Sequence, residues 1–265
     1  MAGVVSLRVG VFGCVGVGKS TLVASLVAVH GRGRNGDAGS EDTAALLAAT
    51  NSSMSAADRY RPAEWSVMLP LDSSNKAKMI VVDVPGVLCD TESFFEAPEA
   101  VRERLGEREP LQLDSLSSPQ SSPSSSAGGK KEPHLIEDSA ASVAMICDAA
   151  IVCYDPCMPE TLDAAKDLLN LLAGQKDPLP LRAVLCATRT DKKDAPEVAR
   201  QSTIDTAVQI AEDHDYNHTI TAALKDRSGV DGCFCAAVVQ AQRSHRLTEG
   251  VVTEDSPHKS CCTIL

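Results

Sequence analysis

Aromatic residues are scarce: one Trp, three Tyr and four Phe make up 3% of 265 residues. Any core must therefore be aliphatic, drawn from the Val, Leu, Ile and Ala that dominate the 43% hydrophobic fraction. Positive charge is also in deficit, with 25 Lys and Arg against 36 Asp and Glu, a net charge of −11. Neutralising nucleic-acid phosphates needs clustered Lys and Arg, which the chain lacks, so no nucleic-acid partner is expected. No run reaches the eighteen or so apolar residues that would predict a membrane-spanning helix. The first thirty residues carry no signal-peptide pattern. Ten cysteines are present without a C-x-x-C pair or a metal-type spacing to histidine, and Cys14, Cys147, Cys153 and Cys186 lie in apolar stretches, where free cysteine behaves as a small hydrophobe. These absences predict a reducing, intracellular chain of one large domain, or of one domain with disordered segments.

Residues 13–20 read Gly-Cys-Val-Gly-Val-Gly-Lys-Ser, a complete G-x-x-x-x-G-K-[ST] loop. At average residue usage the pattern arises by chance in roughly one unrelated chain of this length in a hundred, and its flanks make coincidence rarer. The preceding run, 4–12, is rich in β-branched residues, as a buried strand is, and the following run, 19–30, is a good helix former. Strand, glycine loop and helix gather backbone N–H groups and a helix N-terminus around one point, which suits a polyphosphate. Lys19 can reach the β- and γ-phosphates, and the Ser20 hydroxyl can ligate Mg²⁺.

Five further strands are predicted. Runs 64–71 and 77–83 flank the turn-prone Asp72-Ser73-Ser74-Asn75, which predicts an antiparallel hairpin. Runs 149–154, 181–188 and 218–224 are each followed by a helical pattern, over 160–172, 195–212 and 230–242. Strands alternating with helices imply an α/β fold with a mostly parallel sheet covered on both faces, and ligands at the carboxyl ends of its strands. Residues 31–58 read as a variable insert, with a short helix possible over 43–49. Residues 106–137 read as a disordered insert whose low-complexity centre, 114–133, holds eight serines between Ser115 and Ser126. The Ser118-Pro119 and Ser122-Pro123 pairs fit either phosphorylation sites or a plain flexible linker.

Segment 79–86 is an apolar strand ending in D-x-x-G. Asp83 at its tip can hold Mg²⁺ through water, and the Gly86 N–H can meet a γ-phosphate. Alone, the same residues fit an aspartate opening an ordinary Pro-Gly turn; beside the 13–20 loop, the nucleotide reading is the stronger. Segment 184–191 is a strand ending Thr188-Arg189-Thr190-Asp191. This resembles the [NT]-K-x-D element of GTP-binding proteins, whose aspartate accepts two hydrogen bonds from guanine. Thr221-Ala222-Ala223-Leu224 resembles the S-A-[KL] segment of the same proteins, and Tyr60-Arg61-Pro62-Ala63-Glu64 resembles their first switch, Y-x-P-T. With its elements in the family's order, the chain resembles a Ras-superfamily small GTPase over residues 4 to about 243, less the two inserts. Thr188 and Leu224 lean toward the Rho/Rac branch, although the insertion helix of that branch is not evident.

The resemblance implies a P-loop NTPase three-layer fold with a mostly parallel six-stranded sheet, forming one G domain over 1–243. It implies phosphate binding by Gly13, Val15, Gly16, Val17, Gly18, Lys19, Ser20, Thr21 and Gly86. Guanine would be bound by Thr188, Arg189, Asp191, Ala222, Ala223 and Leu224, with Ala223 giving a backbone N–H to the guanine oxygen. Mg²⁺ would sit at Ser20 and Asp83. The implied ligands are GTP and GDP, and the implied partners are effector and regulator proteins. The departures bear on turnover. Ala63 stands where the family has a Mg²⁺-binding threonine, Val87 where it has the glutamine that orients water, and Val15 where a glycine leaves room for an arginine finger. Arg189 replaces a lysine, and no aromatic lies between Gly31 and Arg59 to stack on a base.

Residues 244–265 read as a flexible tail. It ends Cys262-Thr263-Ile264-Leu265, a C-a-a-X pattern whose leucine favours a geranylgeranyl group. One lipid gives only marginal membrane residence, and the tail has no polybasic patch, so palmitoylation of Cys261 is the expected second anchor. The sequence thus predicts a divergent, prenylated small GTPase with slow hydrolysis, acting as a signalling switch on the cytoplasmic face of a plasma or internal membrane. The alternatives are a lipid-anchored interaction module that binds nucleotide without cycling, and a P-loop ATPase or kinase.

Overall fold

The structure is a computed structural model that describes residues 4–30, 60–71, 75–105, 139–174 and 181–248. The 31–58 insert, the serine-rich 106–137 insert apart from its surroundings, and Cys261 and Cys262 lie outside the described residues. The element order is β1 (Val4–Phe12), α1 (Lys19–His30), β2 (Ala63–Pro70), β3 (Lys76–Asp83), a 3₁₀ turn (Gly86–Leu88), α2 (Pro98–Arg104), α3 (Ala140–Ile146), β4 (Ala149–Tyr154), α4 (Pro159–Gly174), β5 (Ala183–Ala187), α5 (Glu197–Asp213), β6 (Asn217–Ile220) and α6 (Val230–Thr248).

The six strands form one sheet in the order β2-β3-β1-β4-β5-β6. The β2–β3 hairpin is antiparallel, with Ala63 opposite Asp83, and every other pairing is parallel. Because alternate strand residues point to opposite faces, the two faces carry separate cores. Leu7, Val9 and Val11 of β1, Met79 and Val81 of β3, and Ile151 and Cys153 of β4 pack with Leu22 and Leu26 of α1 and Phe234 and Val238 of α6. Phe12, Val82, Val152, Tyr154 and Leu185 face the other way, onto Val101 of α2, Val143 of α3, Leu168 and Leu169 of α4 and Ala207 of α5. Helices therefore cover both faces of the sheet. Each fully buried Val, Leu or Phe in these layers contributes about 1.5–3 kcal/mol. Scarce aromatics are used inside: three of the four phenylalanines, Phe12, Phe94 and Phe234, are fully buried. The single tryptophan, Trp65 on edge strand β2, packs partly buried against the α1–α6 core.

The predicted strands and long helices are present, with three differences. First, α2 and α3 are additional helices of seven residues, too short to impose a 3.6-residue pattern. Local chemistry sets their starts: Pro98 opens α2, and the Ser139 hydroxyl caps α3 by accepting from the Ser142 N–H at 3.1 Å. Second, the strand expected over 218–224 ends at Ile220. Beyond it the Ala222 N–H turns away to the Ser228 carbonyl at 3.0 Å. The turn closes at Gly229, whose φ of +73° favours glycine and where a Cβ would stand 2.0 Å from the Ile220 oxygen. Third, α6 runs to Thr248 rather than ending at 242. Among the described residues, no helix is long and apolar enough to cross a membrane.

Candidate nucleotide site at the strand tips

The parallel strands deliver their carboxyl ends to one rim, and the residues singled out in the sequence meet there. Where β1 ends, 13–20 forms a loop with positive φ at Gly13 (+135°), Gly16 (+82°) and Gly18 (+96°). Side chains rarely adopt these values, so the glycine spacing is what lets the chain curl before α1. Val17 is buried in the α1–α6 core and anchors the loop, while Val15 stands 66% exposed at its outer edge. Lys19 is buried and its ammonium folds back across the loop, donating to the carbonyls of Gly13 at 2.7 Å and Cys14 at 2.8 Å. Ser20 is exposed and Thr21 half-buried, both in the first turn of α1.

Asp83 stands at the tip of β3 near the Ser20 hydroxyl. Desolvation raises its pKa, and the nearby Ser20 hydroxyl and the Lys19 charge oppose that rise. Its Oδ1 is buried with no hydrogen-bond partner among the described residues. A buried, unpaired carboxylate oxygen beside a serine hydroxyl is a donor set that fits a hard divalent cation. No group of three His, Cys, Asp or Glu side chains suited to a metal exists among the described residues, so a cation here would need ligands from its own anion or from water. Gly86 opens the 3₁₀ turn directly against the loop. Val87 packs on the α2–α5 core and Ala63 pairs with Asp83 in the β2–β3 ladder. Tyr60 is also buried in the α2–α5 core rather than presented at the rim. Two thiols near the loop, Cys14 and Cys89, have pKa values raised by burial, Cys89 to about 11, so both stay protonated at neutral pH.

The tip of β5 serves the loop as well as the cavity. The Thr188 hydroxyl is buried between the carbonyl of Val17 and that of Tyr154, the latter at 2.9 Å. Arg189, in the left-handed region at φ +55°, donates from Nη1 to the Gly16 carbonyl at 2.7 Å. In a trans peptide the N–H points opposite to the C=O. Holding these two carbonyls on the tip of β5 therefore directs the Val17 and Gly18 amides away from β5, toward the hollow of the loop, an arrangement suited to an anion. Thr190 Oγ1 donates to the Thr221 carbonyl at 3.0 Å, tying the β5 and β6 tips together. Arg200 of α5 donates to the carbonyls of Thr190 at 3.1 Å and Lys192 at 2.7 Å, fixing the loop that carries Asp191.

Between these elements opens a cavity of about 390 Å³. Gly16, Gly18 and Thr21 line it on the loop side; Thr188, Arg189, Asp191, Lys192, Ala223 and Leu224 line it on the other. Ala222 is buried just behind Ala223, and Leu224 is 55% exposed at the mouth. Sequence reasoning did not single out Lys192, Asp155 or Arg200. For Asp155 a signal existed, since it directly follows the last residue of β4 and so stands on the same rim. No protein-family model matches the chain, and a search of curated proteins likewise gives no match.

Proposed function

We propose that the chain is a P-loop nucleotide-binding protein of the small-GTPase kind, a guanine-nucleotide switch with slow hydrolysis. The observation that carries this reading is convergence. A glycine loop with inward-facing amides, a carboxylate at the next strand tip and an aspartate on the far side border one rim, with a cavity of about 390 Å³ between the loop and that aspartate. The single antiparallel pair beside four parallel pairings is consistent with the P-loop reading.

In this reading the amides of 15–21 and the Gly86 N–H receive the phosphates, and Lys19 exchanges its loop carbonyls for phosphate oxygens. Ser20 and Asp83 would hold Mg²⁺, which when bound offsets phosphate charge. Asp191 reads the base, and the Ala223 N–H meets the guanine oxygen. Val87, turned onto the core, holds no water for attack, which favours slow turnover over brisk catalysis. The same observation supports the second reading, a module that binds nucleotide without cycling. Attachment to the cytoplasmic face of a membrane through Cys262, aided by Cys261, belongs to the proposal on the strength of the terminal sequence.

The test is nucleotide choice. A site built to pair two donors rejects a base lacking them by 10⁴–10⁵-fold where it is fully formed. GTP is expected to bind far more tightly than ATP, Asp191→Ala to erase that preference, and Lys19→Ala to weaken both. Equal affinity of the unmutated protein for ATP and GTP would overturn the guanine assignment.

A further inference from the structure

Asp155 is 2% exposed and carries no role in the site as described above. Its Oδ2 lies 3.2 Å from Nη1 of Arg189, the same nitrogen that donates to the Gly16 carbonyl at 2.7 Å. The first contact is an ion pair and the second a hydrogen bond, so one nitrogen serves both. The carboxylate is itself held in place. Its Oδ1 accepts the Cys157 N–H at 2.9 Å, and the Asp155 backbone N–H and carbonyl are both bonded to the Thr161 hydroxyl, at 2.9 and 3.1 Å. The stem of Arg189 lies along Gly18, where a Cβ would stand 3.1 Å from its Cγ. A rigid anion thus grips a guanidinium whose other contact is the loop backbone.

We propose that Asp155 is a positioning residue for phosphate binding. Its buried carboxylate holds Arg189 on the Gly16 carbonyl and so keeps the Val17 amide aimed into the hollow of the loop. The inference rests on the nucleotide-binding reading and deepens it. It assigns Arg189 to the phosphate end of the ligand through the backbone, in addition to its place in the cavity wall. It also gives the pair no net charge, so its contribution to binding is geometric rather than a direct attraction for phosphate. Removing Arg189 alone is the more damaging change, because it leaves a buried carboxylate uncompensated near the phosphates.

The experiment titrates the full chain with fluorescent GDP and with fluorescent inosine diphosphate, which lacks the exocyclic amine. Unmutated protein is compared with Asp155→Asn, Arg189→Met and the double variant, and nucleotide-free melting is recorded for each. Asp155→Asn is expected to raise both dissociation constants about tenfold by the same factor, leaving the GDP-to-inosine-diphosphate ratio unchanged. Arg189→Met is expected to weaken both ligands more, and adding Asp155→Asn to it to restore part of the loss. An Asp155→Asn protein that binds both ligands as tightly as the unmutated chain overturns the proposal, whatever its melting temperature. Losses that multiply in the double variant, or that fall on GDP alone, also overturn it. Should Asp155→Asn fail to fold, Arg189→Met and Arg189→Lys decide: unchanged affinity in the first refutes the proposal, and affinity lost in the first but retained in the second supports it. If the unmutated protein binds neither ligand, the nucleotide reading falls and this inference with it.

Discussion

Gly86 lies so close to the backbone of Val15 that a Cβ on the glycine would stand 2.4 Å from the Val15 nitrogen and 2.6 Å from its Cα. The two residues are far apart in the sequence and share no strand ladder, yet their segments touch main chain to main chain. Gly86→Ala must therefore push the 3₁₀ turn off the loop. Overpacking of this kind costs about 1–3 kcal/mol, which urea denaturation measures. On the proposed reading, in which the displaced amide serves the γ-phosphate, a non-hydrolysable GTP analogue is expected to lose affinity about tenfold while GDP loses little. Equal losses for the two ligands would place Gly86 outside the γ-phosphate contact.

Turnover is expected to be slow, with a single-turnover rate at or below about 10⁻³ s⁻¹, the level of a small GTPase without its activator. Val15 projects at the loop's outer edge where an arginine finger would enter, and Val87 faces the core. Val15→Gly with Val87→Gln is expected to accelerate hydrolysis. The second change also sets an amide against an apolar cluster, so the pair should melt earlier than the unmutated protein. Brisk phosphate release by the unmodified chain would mean that another group supplies the chemistry.

Asp83 links stability to pH and to metal. Its pKa is raised on folding, first by desolvation. The folded state then binds the extra proton between the unfolded pKa and the raised folded one, so the contribution of Asp83 to stability falls as pH rises through that window. Above it the ionised, half-paired carboxylate is a standing cost. In nucleotide-free, metal-free protein at neutral pH, Asp83→Asn is expected to raise the melting temperature. With GDP and Mg²⁺ added, the order is expected to reverse, since an ionised carboxylate supports a divalent cation better than a neutral amide. A melting curve of Asp83→Asn that gains as much from Mg²⁺ as the parent would refute the assignment.

The carboxyl terminus makes a separate prediction. Cys262→Ser is expected to release the protein from membranes, because a C20 chain contributes roughly 0.8 kcal/mol per buried CH₂ and no polybasic patch in the tail replaces it. Cys261→Ser should leave it prenylated but shifted toward internal membranes. Intact mass spectrometry of protein from its native cell checks this: a mature form ending in Leu265 without lipid contradicts it.

Much of the fold was legible because its signals are periodic or covalent in nature. Strands such as Ala149–Tyr154 and Ala183–Ala187 are buried on both faces and read as unbroken apolar runs. The glycines of 13–20 announce a loop that side chains cannot make. What escaped was set by contacts between distant segments. Nothing in Asp155-Pro156-Cys157 announces an ion pair with Arg189, and nothing in Thr188 announces that its hydroxyl is spent on the Val17 carbonyl. The end of β6 was misjudged because Thr221-Ala222-Ala223-Leu224 continues an apolar run, whereas the turn that ends the strand is dictated by Ser228 and Gly229 further on.

The lone tryptophan has a practical consequence. Trp65 sits in register with Val81, two positions from Ala63, which itself stands opposite Asp83 at the rim. Its indole is partly shielded by the α1–α6 core. With no second indole to blur the signal, emission excited at the red edge, where tyrosine does not absorb, comes from a single chromophore on the edge strand. Any rearrangement of that strand as a ligand arrives alters the polarity around one ring, and stopped-flow optics can follow it in real time.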